Sequence, residues 1–119
     1  MDSGRIGNRR QFARTGPGVE PDGSCVDAEG CLWNAQWGAG RVLRYAPDGR
    51  VLETLETPGA LQPTCVAYAG PALDLLCVTS ARVGLAPAAL AAQAHAGDVF
   101  VYRTGTCGLR ESHARWPAA

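Results

Sequence analysis

Lysine is missing from this chain of 119 residues: all 11 basic side chains are arginine. That excludes a P-loop lysine, a Schiff-base lysine and a Ser-Lys nucleophile pair. No apolar run approaches the ~20 residues that a membrane helix needs. Met1 to Gly7 is polar and lacks the apolar core of a signal peptide. A cytoplasmic protein with no membrane partner is therefore expected. Asp and Glu also number 11, so the formal net charge is zero. With no basic stripe to neutralise phosphates, nucleic acid is excluded as a partner. The five cysteines include no Cys-x-x-Cys pair. They read as reduced thiols packed in strands, neither a disulfide framework nor a zinc site. His95 and His113 stand far apart and read as surface residues. No Gly-x-Ser-x-Gly elbow supports a serine hydrolase.

Turn chemistry is plentiful. The chain has 15 Gly and 8 Pro, with 46% hydrophobic and 18% charged residues. This composition suits a folded chain of short strands. Two stretches resemble each other. Ser24-Cys25-Val26 aligns with Thr64-Cys65-Val66, 40 residues later. Gly40 to Tyr45 aligns with Gly97 to Tyr102. A repeat of this length built from short strands is the mark of a propeller blade. The two units run over about 21–58 and 62–108.

In the first unit the expected strands are Ser24–Asp27, Leu32–Trp37, Val42–Ala46 and Val51–Leu55, with turns at Ala28-Glu29-Gly30 and Pro47-Asp48-Gly49. In the second they are Cys65–Ala69, Leu75–Thr79 and Val99–Arg103, within a blade expected to have four strands. The alanine-rich insertion ahead of Val99 predicts one short helix over Pro87–Ala94, with proline in its first turn and Gly97 beyond its end. Arg9–Ala13 reads as one more strand, entered through a turn at Asp2-Ser3-Gly4. The expected fold is all-β: about two blades, a lone strand and a short helix.

The ordered set of motifs resembles the C-terminal part of the SMP-30/gluconolactonase/regucalcin family. It begins at Gly7 to Ala13. Pro21-Asp22-Gly23 follows, then Val26-Asp27-Ala28-Glu29-Gly30-Cys31-Leu32-Trp33, Trp37-Gly38, Arg41-Val42 and Tyr45-x-Pro47-Asp48-Gly49. Pro63-Thr64-Cys65 and Val78-Thr79-Ser80-Ala81-Arg82-x-Gly84-Leu85 complete it. The resemblance implies a six-bladed β-propeller with a divalent cation on its axis, Ca2+ or Zn2+, with Mg2+ a third candidate. It implies a metal-dependent sugar-lactone hydrolase in which a metal-activated water opens the ring. Of the family's metal ligands only the aspartate of Pro-Asp-Gly is present, as Asp22, which the resemblance makes both ligand and catalytic proton acceptor. A small sugar lactone is the implied substrate. Residues 1–119 as a whole are expected to be a C-terminal portion, inactive alone. It would associate with itself or with missing N-terminal blades. The alternatives are a non-catalytic β-sheet assembly module and one part of a split lactonase.

Read without the resemblance, Pro21-Asp22-Gly23 is equally a plain turn, as Pro47-Asp48-Gly49 is taken to be. One carboxylate does not build a cation site, since calcium takes six to eight oxygens. Glu20, two residues away, and the hydroxyls of Thr64 and Ser80 are the only nearby candidates. Trp33 and Trp37 share a strand face and read as packing between blades or, alternatively, as a sugar platform. Asn34 and Gln36 stand where related sequences carry small or apolar residues, and mark that strand as one expected to be less well buried.

Overall fold

The structure, a computed structural model, describes residues 7–114. Seven strands and one helix follow in order: β1 Glu20–Val26, β2 Leu32–Trp37, β3 Arg41–Tyr45, β4 Val51–Glu56, β5 Pro63–Ala69, β6 Leu75–Ser80, α1 Pro87–Ala92 and β7 Val99–Tyr102. They form two antiparallel meanders, β1-β2-β3-β4 and β5-β6-β7. Strand β1 of the first sheet lies against β5 of the second. Chain direction then fixes which loops share an end. Strands β1, β3, β5 and β7 start, and β2, β4 and β6 finish, at what we call the upper end. It carries the 38–40 turn, the 57–62 loop and the 81–98 insertion.

Period-two alternation explains the core. Trp33 and Ala35 of β2 and Val42 of β3 point to one side of the first sheet. Val66 of β5 with Leu76 and Val78 of β6 point back from the second, and all six are buried in one cluster. Phe100 and Tyr102 of β7 pack onto it. A fully buried aromatic or branched aliphatic side chain stabilises a fold by roughly 1.5–3 kcal/mol. Trp33, with no exposed surface, thus serves packing between the sheets.

The second sheet is apolar on its other face too. Cys65 is opposite Thr79, which is opposite Val99; Ala67 is opposite Cys77, which is opposite Val101. Directly opposed residues share a face, so within the paired strand residues this face carries no charge; Arg103, paired with Asp74, lies just beyond the end of β7. Val99 and Val101 remain 59% and 57% exposed on this face.

Several expectations need correction. The second blade has three strands, not four: after β7 the chain turns to the lower end, where Gly108 bridges Asp27, instead of pairing along β7. Arg9–Ala13 forms no strand, because no described strand lies alongside to complete a ladder; Phe12 instead packs edge-on against Tyr45, ring centroids 5.8 Å apart. The turn expected at Asp2-Ser3-Gly4 falls outside the described residues. Strand β1 starts at Glu20 rather than Ser24, since a bulge between Pro21 and Ser24 lets pairing continue past the Pro-Asp-Gly. The helix ends at Ala92, where Gln93 caps it.

The 81–98 insertion is fastened to the first sheet's last loop. The Gln93 side-chain oxygen accepts from the Leu61 amide at 2.9 Å, and the His95 amide donates to the Gly59 carbonyl at 3.0 Å.

Candidate functional site

Asp22 sits at the upper end of β1, inside the Pro21/Ser24 bulge. It is exposed, and among the described residues its carboxylate makes no hydrogen bond or ion pair. The bulge is pressed against the second sheet through Gly23. A Cβ on Gly23 would stand 2.7 Å from Cys65 Sγ and 2.8 Å from both Cys65 Cα and the Thr64 carbonyl. Two of those atoms are backbone, so only glycine allows this approach. Asp22, the residue before Gly23, is thereby displayed at the seam of β1 and β5.

The neighbours add little to it. The Thr64 hydroxyl is 2.6 Å from that of Thr79. Ser80 is engaged with the insertion, donating to the Asp98 carbonyl at 2.8 Å and accepting from the Gly97 amide at 3.0 Å. Glu20 is opposite Trp37 and exposed. His95 pairs with Asp98 at 2.9 Å on the surface, and His113 is exposed. Among the described residues no three His, Cys, Asp or Glu side chains gather to hold a metal. The donor chemistry at Asp22, an open carboxylate, fits one oxygen ligand of a hard cation, and the described residues bring one such ligand.

Two polar clusters went unread in the sequence. Asn34 and Gln36 are buried, 4% and 1% exposed, contrary to the expected poorly buried strand. Asn34 Nδ2 donates at 2.8 Å to both the Asp22 carbonyl and Ser24 Oγ, and Gln36 Nε2 donates to Asn34 Oδ1. The amides answer each other and the bulge, so burial leaves them satisfied.

The second cluster surrounds Asp27 at the lower end of β1, which has no exposed surface. Its Oδ1 accepts from the amides of Glu29 (3.0 Å) and Cys31 (2.9 Å). Its Oδ2 accepts from Trp33 Nε1 (3.1 Å) and Arg44 Nε (2.8 Å). Arg44 also reaches Glu29 at 2.7 Å. Burial alone pushes the Asp27 carboxyl up, but bonds from Cys31, Arg44 and Trp33, with the Arg44 charge, hold it below the usual value. For Arg44 burial acts downward, and the bonds to Glu29 and Asp27 outweigh it and raise its pKa. The signal was available: an aspartate closing a strand three residues before a glycine suits a turn that caps its own amides.

All five cysteines are free thiols. Burial foremost, then the neighbouring Cys65, pushes the Cys25 thiol up to about 11. A wide cleft lined by Cys25, Val26, Val66 and Tyr68 runs below the seam and does not include Asp22.

Residues 1–82 match the SMP-30/Gluconolactonase/LRE-like region. The chain belongs to the SMP-30/gluconolactonase family. Within that family it is 52% identical over 107 residues to an L-arabinolactonase of Azospirillum brasilense, covering 89% of this chain and 35% of the relative. It is 42% identical over 113 residues to a 6-deoxy-6-sulfogluconolactonase of Pseudomonas putida, covering 92% and 38%. The crystal structure of a calcium-binding regucalcin from Agrobacterium tumefaciens superposes with a TM-score of 0.85 at 40% identity, over 92% of this chain and 37% of that one. The all-β architecture with its two meanders is accordingly a partial propeller. The chain spans a little over a third of the length of these family members.

Proposed function

We propose that this chain supplies the Asp22 wall of a sugar-lactone hydrolase site. The observation that carries the reading is the Asp22 carboxylate, unpaired among the described residues and held on a bulge at the seam of β1 and β5. The lactonases it resembles support the substrate class. In this reading Asp22 is one oxygen ligand of a divalent cation (Ca2+, Zn2+ or Mg2+) and accepts a proton as the ring opens. Bound there, the cation supplies positive charge to the ester carbonyl and the attacking water. One carboxylate is too few for such an ion, so turnover requires ligands from outside the described residues.

The test is a fusion. The L-arabinolactonase of Azospirillum brasilense supplies the part ahead of the shared 107 residues, and this chain supplies the rest. Metal-dependent opening of L-arabinonolactone, followed by proton release and abolished by Asp22→Asn, is the expected result. A folded Asp22→Asn fusion as active as the unsubstituted one would refute the assignment. Alone, the chain is expected to show no turnover above background.

A second reading, assembly through β-sheet faces, is favoured by the side of the second sheet whose paired strand residues carry no charge. Uncovered apolar sheet surface drives association, with further blades or with copies of this chain. Light scattering of the purified chain distinguishes it from a monomer.

A further inference from the structure

Pro-Asp-Gly occurs twice, and the chain treats the two aspartates oppositely. Asp48 folds back, its Oδ1 accepting from the Arg50 amide at 3.0 Å. The Asp22 carboxylate has no such bond among the described residues, and it is the backbone carbonyl of Asp22 that is held, by Asn34 Nδ2 at 2.8 Å. The same nitrogen donates to Ser24 Oγ at 2.8 Å, so one amide grips both sides of Gly23. A carbonyl accepts only, so it must face the Asn34 nitrogen, and Gln36 secures that orientation by donating to Asn34 Oδ1. Both amides are buried on the face of β2 opposite Trp33 and Ala35, where a polar group without partners would be costly. Across the seam Gly23 abuts the Thr64–Cys65 backbone, which fixes the bulge from its other side.

We infer that Asn34, oriented by Gln36, is a positioning residue for the Asp22 carboxylate, clamping the bulge that displays it. This rests on the reading of Asp22 as a cation ligand. A carboxylate on a clamped backbone binds a cation more tightly than one that must be ordered first, because the ordering entropy is already lost. The Asp48 turn serves as an internal standard for an exposed carboxylate without the clamp.

The experiment titrates Mn2+, an oxygen-preferring paramagnetic probe, into the 15N-labelled chain and follows line broadening at each amide. In the wild type the Asp22 and Gly23 amides are expected to broaden at a several-fold lower Mn2+ concentration than those of Asp48 and Gly49. In Asn34→Val that concentration rises about fivefold, the factor carried by one hydrogen bond of ordinary net strength, while Asp48 is unchanged. Gln36→Leu keeps the donor and loosens its orientation, so a smaller rise is expected; it carries the test if Asn34→Val does not fold. An unchanged Asp22 response in a folded variant, or a wild-type Asp22 no more sensitive than Asp48, overturns the proposal. Failure of the ligand reading itself looks different: Asp22→Asn would leave the broadening at this bulge in place.

Discussion

Asp27→Ala is expected to be the most damaging polar substitution in the first sheet. The carboxylate accepts from two backbone amides, an indole and a guanidinium, within 2.8–3.1 Å and with no solvent contact. A buried ion pair is in itself weak grounds for stability, because desolvation offsets most of its attraction. Removing one partner is another matter. Alanine leaves the Cys31 amide and Trp33 Nε1 without acceptors, and Arg44 with Glu29 alone, at a cost of about 3–5 kcal/mol. Asp27→Asn keeps one acceptor oxygen and should cost about 1.5–3 kcal/mol. Against the 5–15 kcal/mol typical of a whole fold, either loss is readily measured by urea unfolding followed through tryptophan fluorescence. The pH dependence has a definite sign. Asp27 is held below its unfolded value, so its contribution is complete above about pH 4 and is lost as pH falls through the lower, folded value. Wild-type stability should decline below about pH 4, and Asp27→Asn should flatten that decline. A loss of under about 1 kcal/mol for Asp27→Ala, with an unchanged denaturant slope, would refute the account.

Other outcomes follow from the same geometry. Gly23→Ala places a methyl group 2.8 Å from two backbone atoms of β5, and the forced separation should cost about 1–3 kcal/mol; stability equal to wild type would show that the bulge is not wedged. At pH 8 Cys25, pushed up to about 11 from 9.0, carries roughly a hundredfold less thiolate than an ordinary thiol. Peptide mapping after iodoacetamide should find exposed Cys65 and Cys107 modified well before it; equal rates would contradict the burial. Gln93→Ala removes the acceptor of the Leu61 amide, and hydrogen exchange at Leu61 should rise by about fivefold or more, with protection unchanged if the tether is not real.

The strands were legible where alternation and turn residues agreed. Strand β2 occupies its expected Leu32–Trp37 because a glycine-containing turn bounds it on each side. The early start of β1 was hidden because Pro-Asp-Gly reads as a stop, whereas a bulge absorbs it. Arg9–Ala13 has a strand's composition, but a strand exists only with a neighbour to pair with, which no local pattern supplies. Asn34 and Gln36 misled for a related reason: polar letters suggest exposure unless partners are known, and their partners are 2 to 12 residues away. Asp22 is a candidate through family resemblance and not through chemistry, since the identical tripeptide at Pro47 makes an ordinary turn.

The two sheets are laced together at opposite ends. Above, the insertion holds the 57–62 loop through Gln93, His95 and Ala81. Below, the Ala28 amide donates to the Cys107 carbonyl and Asp27 bridges Gly108, while the Gly108 amide donates to Leu73. Lacing at one end would let the sheets open like the covers of a book; lacing at both removes that hinge. The angle between neighbouring blades is therefore set within this segment, and with it the local curvature of the ring. Any further blade that docks on the open side meets a pre-bent arc and has no need to induce the bend.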